Sequence, residues 1–185
     1  MKQQGSVGRR LEAAISEFNN KNFENCLIHL FPALDKTAKK RRPKAKVGER
    51  ICKFIEEDQD LLSYIALNGS ILRHIDIDGM TLPKAIYLYG RCPIAHEGEL
   101  DPRLEITEDN MLMIGSKWIF STSYIFALMV SVIIAPENAD EFFLKRIELN
   151  FSNKKFVAND IWGGAENIRE AIGLTERINR DLARR

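Results

Sequence analysis

The sequence is poor in the residues from which metal centres and disulfide frameworks are made, with three cysteines and three histidines in 185 residues. Cys26, Cys52 and Cys92 are far apart and odd in number, so there is no CxxC pair, and the histidines supply no zinc-ligand spacing. No disulfide scaffold, metal or cofactor is expected. This cysteine usage fits a reducing compartment. Met1-Lys2-Gln3-Gln4-Gly5 leads into a charged amphipathic segment without the apolar run of a signal peptide, so the expected location is cytoplasmic. A glycine-rich phosphate loop, a nucleophile elbow and an HExxH helix are all missing, which excludes the enzyme classes they define. Internal repeats and low-complexity tracts are absent too.

What is present is a soluble-globule composition, 45% hydrophobic and 29% charged, in a length suited to one domain over residues 1–185. The formal net charge of +1 hides a regional pattern. Lys36, Lys39, Lys40, Arg41, Arg42, Lys44 and Lys46 follow one another with no intervening acid. Glu97, Glu99, Asp101, Glu105, Glu108 and Asp109 reverse the sign further along. The acids Glu56, Glu57, Asp58 and Asp60 sit at or near helical spacing and read as a solvated face.

The longest uncharged run extends from Trp118 to Ala135, between Lys117 and Glu137. At about 1.5 Å per residue, a helix of that length nearly crosses a bilayer. Ser121, Thr122 and Ser123 interrupt its start, leaving a length more typical of a buried core helix. Because it is apolar all round, it is expected as the central helix, with no membrane span.

Hydrophobic periodicity predicts a mainly α fold, a helical bundle with one or two small β-hairpin insertions. Leu11, Ala14, Ile15 and Phe18 mark a first helix. Phe23 to Ala38 marks a second, with Pro32 expected to kink or restart it and Pro43 to end it. Val47 to Ile65 reads as a third, closed by Asn68-Gly69. Ile71, Ile75 and Ile77 suggest an extended segment into an Asp78-Gly79 turn, after which Thr81 caps a helix carrying Pro83 in its first turn. Leu104–Thr107 and Met111–Ile114, around Glu108-Asp109-Asn110, read as a hairpin. Asn138 to Arg146 is expected as a short helix, 147–151 with 155–157 as a second hairpin, and Ala165 to Ala183 as a final helix. His29, among apolar neighbours, is expected in the core, and His74 has no motif around it.

The helix from Thr81 runs into Arg91-Cys92-Pro93-Ile94-Ala95-His96. A guanidinium can hold a phosphate through two hydrogen bonds and stabilise the charge that builds in phosphoryl transfer. An imidazole titrates near neutrality and can move a proton to or from a sugar hydroxyl. On an ideal helix, residues five apart point about 140° away from each other, so the pair would flank a groove.

The stretch Ile86-Tyr87-Leu88-Tyr89-Gly90-Arg91-Cys92-Pro93-Ile94-Ala95-His96-Glu97-Gly98 resembles the signature of the HEPN superfamily, an arginine followed by four to six residues and a histidine in a small all-α bundle. The resemblance implies a metal-independent endoribonuclease working as a homodimer, with Arg-His pairs of two chains lining one cleft. It also implies a toxin–antitoxin or phage-defence setting with an antitoxin partner. Arg91 would orient the scissile phosphate and His96 would be the acid/base. Further candidates for substrate contact are Glu97, which could also orient the imidazole or raise its pKa, and Lys39, Lys40, Arg41 and Arg42 on the RNA backbone. Cys92, where the family usually has a small polar residue, and Pro93 depart from the pattern. They keep open a non-catalytic RNA- or nucleotide-binding or dimerisation module. In the plainest alternative Arg91 pairs with Glu97 or Glu99, and His96 caps a helix end.

Overall fold

Amphipathic periodicity sets the first two elements of the computed structural model, which describes residues 3–109 and 111–183. Helix α1 (Ser6–Asn19) buries Val7, Leu11, Ala14 and Ile15. Helix α2 (Phe23–Arg41) packs against it and buries Cys26, Leu27, Leu30, Phe31, Leu34 and Ala38. Burial pushes the Cys26 thiol up to about 12, with Glu17 adding to the effect. Helix α2 runs unbroken through Pro32, so the expected restart does not occur. His29 is only half-buried and faces Arg10, which corrects its expected place in the core.

The third predicted helix is two, α3 (Val47–Glu57) and α4 (Gln59–Ala66). The interruption is Asp58, whose carboxylate serves distant partners. One oxygen accepts the Ser131 hydroxyl and the other accepts Arg169 Nη2 at 2.6 Å. The solvated acidic face holds for the exposed Glu56 and Glu57 and is corrected for Asp58 and Asp60. Asp60 takes both nitrogens of an Arg73 fork at 2.6 Å, and Glu57 receives Arg41 and Arg42.

A two-residue hairpin of β1 (Asp76–Ile77) and β2 (Met80–Thr81) turns at Asp78 and Gly79, both left-handed. Helix α5 (Leu82–Ala85), a π-helical turn (Ile86–Arg91) and α6 (Cys92–His96) then form one continuous helical run. Thr81 caps it as expected, accepting the Lys84 amide at 3.4 Å.

The predicted hairpin of Leu104–Thr107 with Met111–Ile114 is not formed. Strands β3 (Leu104–Thr107) and β4 (Leu112–Ile114) are the two edges of a three-stranded sheet, with β5 (Trp118–Ser121) between them. Strand β5 is parallel to β3, with Leu104 opposite Trp118, and antiparallel to β4, with Leu112 opposite Phe120. Trp118, Phe120 and Ser121 are buried, so β5 takes the place with a partner on each side. The uncharged run therefore begins as a strand. Asn110 of the expected turn, like Met1 and Lys2, lies outside the described residues.

Helix α7 (Thr122–Ile134) follows and is buried almost throughout. Among the described residues no helix is long and apolar enough to cross a membrane. The expected helix from Asn138 to Arg146 is absent, and only a 3-10 turn, Pro136–Asn138, forms. Asn138 is fully buried, and its amide donates to the Val132 carbonyl at 2.7 Å and the Thr37 hydroxyl at 2.8 Å. Asn159 takes both backbone groups of Phe143, at 2.8 and 3.0 Å, so these are not free for a helix.

The second hairpin forms as predicted, β6 (Glu148–Phe151) with β7 (Lys154–Val157) around left-handed Ser152 and Asn153. The final helix is split into α8 (Ala165–Ala171) and α9 (Leu174–Leu182) by Gly173 at φ 78°, a conformation that costs glycine nothing. The protein is thus mainly helical with small sheets, and its buried apolar residues form one cluster.

Two outcomes test this framework. Asp58→Ala leaves the buried Ser131 hydroxyl and the Arg169 guanidinium without their acceptor, and should cost about 2–3 kcal/mol by chemical denaturation. A loss below about 0.5 kcal/mol would show that water replaces the carboxylate. Glu137 is partly buried, which raises its pKa, but the Arg41 guanidinium bonded to it outweighs burial and holds the carboxyl below its usual range. A carboxyl depressed on folding stabilises fully above its unfolded value, and that stability is lost as pH falls through the folded value. The stability gap between the protein and Glu137→Gln should therefore be widest near neutrality and close below about pH 4.

Candidate functional site

The local shape of the motif follows from Pro93. In a regular helix residue 93 would donate its amide to the Tyr89 carbonyl, and proline has none to give. The chain widens into the π-helical turn, where the Cys92 amide reaches back five residues to the Tyr87 carbonyl. The Tyr89 carbonyl accepts the Asp101 amide instead, at 3.1 Å. That bond folds the segment after the motif back onto it. Arg103 completes the clasp, lying 4.2 Å from the Tyr89 ring centre and gripping Asp101 through Nε and Nη2 at 2.8 and 2.6 Å. These bonds hold the Asp101 carboxyl down at about 2. Gly98, at φ 82°, ends α6, its amide donating to the Pro93 carbonyl at 3.2 Å.

Gly90 lets the π turn approach the core. A Cβ there would stand 3.0 Å from Phe31 Cζ and 3.2 Å from Leu104 Cδ2. Cys92 is half-buried, and its thiol lies beside the Tyr87 hydroxyl. Burial first and this hydrogen bond second raise the tyrosine's pKa. Arg91 also leans on Tyr87, 6.0 Å from the ring centre.

Arg91 lines a pocket of about 600 Å³ bounded by α1, α2, α3 and α6. Arg10, Lys36, Lys39 and Arg50 supply its other cations, and Ile28, Phe31, Pro32, Ile94 and Ala95 its apolar surface. Asp35 is the single acid, already bound to Arg50 Nε and Nη2 at 2.7 and 3.0 Å. Among the described residues neither Arg91 nor Lys39 has a carboxylate partner, and the alternative pairing of Arg91 with Glu97 or Glu99 does not form.

The other candidates are placed elsewhere. His96 is exposed at the C-terminal end of α6, without a hydrogen-bond partner among the described residues, and is not on the pocket wall. Arg91, Ile94 and Ala95 share the face that lines the pocket, and His96 stands a further helical step around, as residues five apart should. Glu97 is exposed beyond the helix. Of the four basic candidates Lys39, Lys40, Arg41 and Arg42, only Lys39 reaches the pocket, with Lys36 of the same run one turn before it. Lys40 donates to the Glu137 carbonyl and Asn138 Oδ1, Arg41 grips Glu137 Oε1 and Oε2, and Arg42 meets Glu57. These three tie the end of α2 to α3 and to the turn after α7. Arg10 and Arg50 were missed by reading the sequence alone. Their signal is faint, although Ile28, Pro32, Asp35, Lys36 and Lys39 form a helical stripe that marks the pocket side of α2.

Fold and site together define a mainly helical protein with a cation-lined pocket beside a short Arg-His helix. The chain belongs to the Rv1289 family, whose model matches residues 6–183. It is similar to Uncharacterized protein Rv1289 of Mycobacterium tuberculosis (strain ATCC 25618 / H37Rv) and to Uncharacterized protein Mb1320 of Mycobacterium bovis. Each is 23% identical over 186 residues, covering 91% of this chain and 89% of the relative. No solved structure matches the chain significantly.

Gly90→Ala tests the close approach. The added methyl must displace Phe31 or Leu104, so it should cost about 1–2 kcal/mol in denaturation. Because Phe31 floors the pocket, the same substitution should also weaken any anion held there.

Proposed function

We propose that the chain is a HEPN-like endoribonuclease that acts without metal. Arg91 holds the scissile phosphate, and His96 moves the proton between the 2′-hydroxyl and the leaving oxygen. The observation that carries this reading is the pairing of an arginine free of carboxylates, in a pocket dominated by cations, with an exposed histidine on the same helical run. In the reaction the 2′-oxygen gives its proton to the imidazole and attacks phosphorus. The P–O5′ bond then breaks as the 5′-oxygen takes a proton from an imidazolium, leaving a cyclic phosphate and a 5′-hydroxyl. Arg91 offers two donors to the non-bridging oxygens as charge builds on them. Because His96 stands off the Arg91 pocket, a complete site uses the histidine of a second copy across a dimer cleft. A homodimer, an antitoxin partner and a defence role belong to this same reading.

A second reading, a non-catalytic RNA-binding or dimerisation module on the same fold, is favoured by the absence of His96 from the pocket wall and by Cys92, whose amide closes the π turn, and Pro93 just after it.

Purified protein incubated with single-stranded RNA and EDTA decides between them. Cleavage should persist under chelation and fall by about 10²–10⁴-fold in His96→Ala. Equal cleavage by wild type and His96→Ala would remove the histidine from the chemistry. Binding that weakens with salt while RNA stays intact would establish the second reading.

A further inference from the structure

We infer that the Arg91 pocket selects a terminal phosphate, the dianionic monoester at the end of a nucleotide chain, over the singly charged diester within one. The inference rests on the second, RNA-binding reading above, since a terminal phosphate seated here takes the place beside Arg91 that a scissile diester would need.

Charge gives the first reason. Asp35 neutralises Arg50 through two hydrogen bonds, so it does not offset the other cations. Arg10, Lys36, Lys39 and Arg91 remain around the pocket with no ion-pair partner among the described residues. Arg10 meets only the ring of His29, and Lys36 only the hydroxyl of Ser6. Gathering like charges around one space raises the energy of the empty site, and an anion of higher charge relieves more of it. A diester brings one negative charge, whereas a phosphate monoester carries about 1.5–2 near neutral pH.

Geometry gives the second. The free cations come from three elements, Arg10 on α1, Lys36 and Lys39 one turn apart on α2, and Arg91 at the end of the π-helical turn. A monoester presents three unesterified oxygens to donors arriving from different sides, and a diester only two.

The apolar strip shows where the rest of the ligand lies. Ile28, Phe31, Pro32, Ile94 and Ala95 give the sugar and base a surface beside the cations. The volume of about 600 Å³ lies within the range of small-ligand sites.

The test uses full-length His96→Ala protein, so that the proposed cleavage does not consume the probe. One short single-stranded RNA with an internal fluorophore is titrated in three forms, with a 5′-phosphate, with a 3′-phosphate and with hydroxyls at both ends. Adenosine monophosphate serves as competitor. One phosphate-ended form should bind about tenfold tighter than the hydroxyl-ended form, the effect of one charge-assisted hydrogen bond. Lys39→Ala, an exposed position, should abolish most of that preference. Preference for the 5′ or the 3′ form, or displacement by adenosine monophosphate, each supports the inference and identifies the source of the phosphate. Equal binding of all three RNAs, or a preference that survives both Lys39→Ala and Arg10→Ala, overturns it. Binding of intact RNA without end preference sinks this inference alone, and end preference without cleavage sinks only the nuclease.

Discussion

Helix α7 has no polar face to turn toward water, so the surrounding elements are arranged to cover it. Helices α2, α4 and α8 and strand β5 pack on it from different sides. Burying apolar surface is worth roughly 25 cal/mol per Å² and is indifferent to direction, which explains the covering but not the fit of its parts. Direction comes from the polar groups carried inside. Ser131, in the second half of α7, must find a partner away from water, and Asp58 supplies it. The same carboxylate, standing at the break between α3 and α4, docks α8 by accepting Arg169 on its other oxygen. At the far end Asn138 plays the same part, joining the last turn of α7 to Thr37 on α2.

Helix α2 connects this core to the site. Its buried side, with Leu27, Leu30, Leu34 and Ala38, faces the packed interior. Its outer stripe of Ile28, Pro32, Lys36 and Lys39 forms one wall of the pocket. A binding wall on a long, well-anchored helix is held more rigidly than one on a loop. The Arg-His helix opposite is held by a different device. Pro93 withholds an amide, the chain widens into a π turn, and the carbonyl left over recruits the Asp101 loop. Pro93 is therefore what fixes the segment after the motif.

Much of the helical framework was legible in the sequence, because the period that marks an amphipathic helix is local. Helices α1, α2 and α7, the Thr81 cap and the β6–β7 hairpin all follow from residues within a few positions of each other. The failures share a physical origin. By its lack of charge strand β5 reads as the start of the apolar helix, since nothing near Trp118 announces a parallel partner at Leu104. Helix 138–146 was expected from its composition, while Asn159 and Thr37, distant in the chain, held the backbone groups and the amide that it needed.

The candidate site divides in the same way. By itself the sequence determined that Arg91 and His96 share a helical run, that a five-residue spacing turns them to different sides, and that a basic run closes α2. Only the tertiary structure decided which cations are free. Lys40, Arg41 and Arg42 are consumed by Glu57, by Glu137 and by neighbouring carbonyl oxygens, whereas Lys39 joins Arg10 and Arg91 around a common pocket. A side chain's type and helical angle are local properties that the sequence carries. Whether its charge meets a carboxylate depends on which remote elements fold against it.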